Sequence, residues 1–228
     1  MKVYGFAIFS ALLLAGCGKG SEPAAPPSTA AAAPEVPVMG PERHILALGD
    51  SLFAGYGVKS GESYPAKLEA ALRAHGVNAR IANAGVSGDT TAGGLERLAF
   101  TLNSQSQTPD LVIISLGGND MLRGLAPEQT KANLEAIVSE LGRRKIPVVL
   151  MGMLAPPNMG ADYRSKFDAI YPALAEQQHV SLVPFFLKAV IDKPDLIQAD
   201  HIHPTARGIE EIVAATTYAV EGELVAGN

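Results

Sequence analysis

A serine hydroxyl is a weak nucleophile until a neighbouring base takes its proton. Histidine suits that task, and a carboxylate beside it orients the ring and stabilises the imidazolium that forms. The chain of 228 residues offers all three. Ser51 stands in Gly49-Asp50-Ser51-Leu52, and Asp200 precedes His203 by three residues in Asp200-His201-Ile202-His203-Pro204. Two further segments could supply donors to a developing oxyanion, Asn83-Ala84-Gly85-Val86-Ser87-Gly88-Asp89 and Gly117-Gly118-Asn119-Asp120. In this reading Ser51 is the nucleophile, His203 the base and Asp200 its orienter. The backbone N–H groups of Ser51 and Gly85 and the side chain of Asn119 form the oxyanion hole. Each residue alone has a plainer reading. Ser51 suits a turn, Asp200 a capped helix start before Pro204, Gly85 a tight turn, and Asn119 and Asp120 a cap. Asp50 and Asp89 read as structural. His44, His75, His179 and His201 read as surface or packing residues.

What raises the chemical reading is where the elements put these segments. Short apolar runs at 45–48, 79–82, 111–116, 147–151 and 180–186 suit buried strands. Stretches with helical spacing lie between and after them, at 64–75, 90–103, 127–145, 162–178 and 204–222. Pro127 and Pro204 suit first helical turns. Strands alternating with helices predict an α/β fold, a three-layer α/β/α sandwich around a parallel sheet. In such sheets ligands bind beyond the carboxyl ends of the strands. The Ser51, Gly85 and Asn119 segments each follow a predicted strand, and the Asp200–His203 segment follows the fifth beyond a linker. One sheet edge therefore gathers them.

Composition excludes other classes. Net charge is −5, and the densest basic run, Arg143-Arg144-Lys145, closes a helical pattern. No nucleic-acid partner is expected. Asp200, His201 and His203 offer possible metal ligands, but zinc sites favour nitrogen and sulfur, and the one cysteine is Cys17. No metal is expected. Gly49-x-Ser51-x is completed by Phe53, so the G-x-S-x-G elbow is absent, as is a phosphate-binding P-loop.

Residues 1–17 begin Met-Lys, continue with an uncharged, largely apolar run and end Leu14-Ala15-Gly16-Cys17. This is the pattern of a secretory signal, too short to span a membrane. Leu-Ala-Gly-Cys resembles the bacterial lipobox, which implies lipidation of Cys17 and a lipid-anchored protein facing the periplasm. By analogy with the sorting of such lipoproteins, the resemblance implies, through Lys19 after Gly18, the outer membrane rather than the inner. Residues 18–42, rich in Pro, Ala, Ser and Gly, read as a flexible tether. The domain then occupies 43–228.

The four segments together resemble the SGNH, or GDSL, hydrolase family, whose namesake residues fall on Ser51, Gly85, Asn119 and His203. Within it, "GGNDMLRGLAPEQT", "AIYPALA" and "VPFFL" are similar to the bacterial multifunctional esterases of arylesterase, acyl-CoA thioesterase and lysophospholipase type. The resemblance implies a five-stranded sheet of order 2-1-3-4-5 and no cofactor. It implies a serine esterase acting on acyl esters and thioesters through an acyl-enzyme on Ser51. It also implies an acyl groove bordered by 121–127 and 154–163, with Met121, Leu122, Leu125 and Met159 as candidate lining. Two alternatives stay open: an esterase removing O-acetyl groups from cell-wall glycan, and a non-catalytic lipid-binding lipoprotein.

Overall fold

The apolar run before Gly49-Asp50-Ser51 forms the sheet's second strand. The structure, a computed structural model, describes residues 38–226. The expected signal segment, Cys17 and the tether up to residue 37 lie outside the described residues. Of the tether's last positions, the Gly40 carbonyl accepts from Asn78 Nδ2 at 3.1 Å, and Glu42 pairs with His44 and Arg80.

Five parallel strands form one sheet in the order β2-β1-β3-β4-β5. They are β1 (Arg43–Gly49), β2 (Ala79–Gly85), β3 (Leu111–Ser115), β4 (Val148–Met151) and β5 (Ser181–Val183). Leu46, Ala47, Leu48, Val112, Ile113, Ile114, Val149 and Leu150 are wholly buried. Helices cover both faces of the sheet, which is why these strands read as unbroken apolar runs rather than alternating ones. Helices α2 (Tyr64–Ala74) and α8 (Ala206–Ala226) pack on one another, as do α3 (Thr91–Asn103) and α5 (Pro127–Arg143). Helices α6 (Ala161–Asp168) and α7 (Ile170–Gln178) complete the described set, with the one-turn helices α1 (Ser51–Ala54) and α4 (Gly118–Leu122).

Register does the positioning. Gly49 pairs with Gly85 on one side and with Ser115 on the other. The ends of three strands thus form one row, and the segments after them emerge side by side. Below that row, Phe53 of α1 stacks on Tyr64 at 5.2 Å, and both rings meet Phe186 edge-on at 5.7 and 4.8 Å. Tyr64 Oη bonds Thr216 Oγ1 at 2.8 Å. Such aromatic contacts add about 0.5–1.5 kcal/mol per pair beyond burial. They seat α1, and Ser51 with it.

Several expected boundaries move, each for a physical reason. The helix expected over 162–178 breaks at Ala169, because Pro172 has no N–H for the Asp168 carbonyl. Pro204 is not a first-turn residue. It forms an isolated antiparallel bridge with Ile197, and Thr205 caps α8 by accepting from Gly208 N–H at 3.1 Å. Strand β5 stops at Val183 because Pro184 follows, whereas β2 runs on to Gly85.

Candidate active site

Ser51 opens α1 immediately beyond β1. Asp50 shapes the turn: its N–H donates to the Ser115 carbonyl at 3.1 Å, and its Oδ1 caps α1 by accepting from Leu52 N–H at 3.0 Å. Leu52 and Phe53 are buried, so Ser51 is left at the wall of a cavity.

His203 Nε2 lies 2.8 Å from Ser51 Oγ, and His203 Nδ1 lies 2.6 Å from Asp200 Oδ2. An ionised carboxylate can only accept, so Nδ1 carries the hydrogen and Nε2 is left to accept from the serine hydroxyl. Burial opposes the charge on Asp200. The imidazole and the N–H groups of His203 and Ile202 outweigh it and hold the carboxyl at about 2. Asp200 does not cap a helix, since Thr205 takes that place, but it forms a turn and faces the ring. Its Oδ1 accepts from Ile202 and His203 N–H at 3.0 Å each, as a turn-forming aspartate would, while Oδ2 faces the ring. The Tyr56 ring lies against the imidazole with centroids 4.4 Å apart. Sequence reasoning missed this neighbour, since no spacing rule links positions 56 and 203.

The expected oxyanion donors are only partly presented. Asn119 lines the cavity, and its Nδ2 donates to the Asp89 carbonyl at 2.9 Å and reaches Asp50 Oδ2 at 3.4 Å. The first N–H groups of a helix lack intrahelical partners, which leaves that of Ser51 suited to an oxyanion. The Gly85 N–H instead donates to Asn83 Oδ1 at 2.9 Å, and Gly85 is not part of the cavity wall. Gly85 has a packing reason as well. A Cβ there would lie 2.3 Å from the backbone nitrogen of Ala54, so any side chain would push α1 outward. Beneath Asn119, Asp120 is 1% exposed and accepts from Thr91 N–H at 2.8 Å, from the Thr91 hydroxyl and from Thr130 Oγ1 at 3.3 Å. Asp120 is thus a buried anchor for the asparagine loop.

The cavity has a volume of about 310 Å³ and a mostly apolar wall. Met121 and Leu122 line it as expected. Leu125 and Met159 are not part of its wall, and Met159 packs half-buried against the core. Their place is taken by Met153, Leu154, Phe185, Leu187, Ile191 and Ile202. An apolar run such as Val180 to Phe186 reads as strand core, and its pattern cannot separate core side chains from cavity ones. A larger groove of about 590 Å³ lies between α3 and α5, but its polar groups, Ser139, Glu140 and Arg143, include no histidine. Among the described residues no group of three or more His, Cys, Asp or Glu could hold a metal ion.

Asp50 is 3% exposed, and burial raises its carboxyl from 3.8 to about 6 against the opposing Leu52 N–H and His203. The folded state therefore holds that proton more tightly than the unfolded chain does. Stability then falls as pH rises from about 4 to about 6, by on the order of 3 kcal/mol from this group. Asp50→Asn lacks this decline. Its stability relative to the parent is expected to rise across that window and to level off above it. Urea unfolding of both proteins from pH 4 to 7 checks this, and a constant difference would contradict it.

Residues 47–210 match the family model described as the GDSL-like Lipase/Acylhydrolase family. The chain is 46% identical over 160 residues to an arylesterase of Vibrio mimicus, covering 70% of this chain and 79% of the relative. It is 40% identical over 160 residues to thioesterase 1/protease 1/lysophospholipase L1 of Escherichia coli strain K12, covering 70% and 74%. The crystal structure of AlinE4, an SGNH-hydrolase family esterase, is 66% identical with a TM-score of 0.70, covering 81% of this chain and 97% of that one.

Proposed function

Because the chain belongs to the GDSL-like lipase/acylhydrolase family, the SGNH hydrolases, and is a hydrolase of ester and thioester bonds, we propose that Ser51, His203 and Asp200 are its catalytic triad. His203 Nε2 takes the proton of Ser51 Oγ as the oxygen attacks the acyl carbonyl. Asn119 Nδ2 and the Ser51 N–H stabilise the tetrahedral oxyanion, joined by the Gly85 N–H once it leaves Asn83. Collapse expels the alcohol or thiol, which takes its proton from His203. Water activated by the same ring then releases the acid from the acyl-enzyme. The observation that carries this reading is the imidazole spanning Ser51 at 2.8 Å and Asp200 at 2.6 Å at the mouth of an apolar cavity.

The substrate class is an ester or thioester with a medium or long acyl chain. An apolar wall of this extent favours such chains over acetyl groups. Leu14-Ala15-Gly16-Cys17 supports a lipid anchor at Cys17 that holds the enzyme on a bacterial membrane facing the periplasm, the outer one in preference to the inner.

A fluorophosphonate is expected to label the full chain at Ser51, read by peptide mass mapping. The same preparation is expected to hydrolyse p-nitrophenyl octanoate faster than the acetate. Labelling elsewhere would defeat the assignment of the nucleophile. Fastest turnover of acetate would transfer the reading to deacetylation.

A further inference from the structure

We propose that Gln198 is a positioning residue for His203, a strut that joins the histidine's loop to the segment following the nucleophile. Its Nε2 donates to the carbonyl of Tyr56 at 2.8 Å and to the carbonyl of Pro204 at 2.9 Å. Carbonyls only accept, so two of them fix which end of the amide lies there. The backbone of Gln198 donates to the His203 carbonyl at 2.7 Å and accepts from His201 N–H at 3.0 Å. One residue therefore braces both sides of the catalytic imidazole's backbone. It also holds Tyr56, whose ring packs on that imidazole at 4.4 Å.

Two further observations bear on the strut. Gly57 has φ +75°, and a Cβ there would lie 2.1 Å from Gln198 Oε1, so the glycine after Tyr56 is the space the carboxamide occupies. His201 has φ 61°, in the left-handed region that few non-glycine residues adopt, and its N–H is held there by the Gln198 carbonyl. Gln198 is not part of the cavity wall, so it touches no substrate there. Its influence runs through the ring. His203 must keep Nε2 within hydrogen-bond reach of Ser51 Oγ while Nδ1 stays on Asp200, and a displacement of about 1 Å can cost about a hundredfold in rate.

The inference rests on the triad proposed above. Gln198→Met keeps the length of the side chain and removes both donors. In the full chain it is expected to lower kcat for p-nitrophenyl octanoate by about 10- to 100-fold, with KM within about twofold. The low-field proton resonance of the His203 Nδ1–H···Asp200 bond is expected to vanish or move upfield. Gly57→Ala presses on the same contact from the other side. It should give the same signature, and the double variant should lose no more than the worse single one. Parental kcat and resonance with only a lowered Tm would mark a merely structural residue and overturn the proposal. So would a loss of kcat with the resonance unmoved. If Gln198→Met does not fold, Gly57→Ala decides on the same two readouts. A Ser51→Ala control separates the readings. Turnover surviving there defeats the nucleophile assignment, whereas an active Gln198→Met beside an inactive Ser51→Ala defeats the strut alone.

Discussion

Alanine at Ser51 is expected to lower kcat by about 10⁴- to 10⁶-fold, and alanine at His203 nearly as far. The double variant should be no worse than either single one. Non-additivity follows from geometry. Ser51 Oγ and His203 Nε2 are 2.8 Å apart and share one proton, so removing either partner ends the same step. What survives comes from donors that act without the pair, the Asn119 side chain and backbone N–H groups. Asp200→Ala should be milder, by about tenfold or more, because the ring then loses its orientation and charge partner but keeps its nitrogen. Asp200, held at about 2, stays ionised through any ordinary assay range. Its depressed value contributes stability that is present above its unfolded range and lost only as pH falls toward 2. Weakening activity between pH 4 and 7 therefore belongs to other groups, Asp50 among them. Steady-state kinetics on the three variants, with phosphonate labelling as a titre of the nucleophile, check this. A Ser51→Ala protein retaining about a tenth of parental turnover would sink it.

The parts legible in the sequence share one property: their cause is local or follows from topology. Apolar runs such as Leu111 to Leu116 announce a strand buried on both faces, and the structure has one there, Leu111–Ser115. Once strands alternate with helices, the sheet's carboxyl edge becomes the meeting place of Ser51, Asn119 and His203 without knowledge of any distance. The parts that were not legible depend on pairing between distant positions. Leu125 and Met159 have the right side chains for an acyl groove, but neither belongs to the cavity wall, and Met159 packs against the core instead. Phe185 and Phe186 are adjacent and alike. One lines the cavity, while the other joins Phe53 and Tyr64 in the core. Gly57, unexplained by its own segment, is explained by a glutamine that lies over it from position 198. Asp50 looked like a turn residue and is one. Its burial, which turns it into a titrating group beside His203, depends on Gly118 and Asn119 closing over it. The Gly85 N–H is engaged elsewhere for the opposite reason. Its partner Asn83 stands only two residues away, and a short-range Asx contact took the N–H that the long-range reading reserved for substrate.

Asn119→Ala is expected to lower kcat by about 10²- to 10³-fold while KM changes by only a few fold. The asparagine amide has two hydrogens. One is committed to the Asp89 carbonyl at 2.9 Å, which fixes the plane of the group. The other reaches Asp50 Oδ2 at 3.4 Å, too long for a strong bond. That hydrogen is the one available to charge developing on the substrate oxygen. An oxyanion in a mostly apolar cavity gains far more from it than a neutral carbonyl does, which places the effect in kcat. Alanine also leaves the buried Asp50 without its neighbour, so Asp50 should bind its proton still more tightly. Asn119→Asp is the sharper control. It preserves shape but sets a carboxylate against the Asp89 carbonyl, against Asp50 and against the oxyanion. At pH 7 it is expected to be more damaging than alanine, and to recover in part as acid neutralises it. Kinetics of both variants from pH 5 to 8 decide the matter. Equal losses that do not change with pH would show that residue 119 supports the loop rather than the transition state.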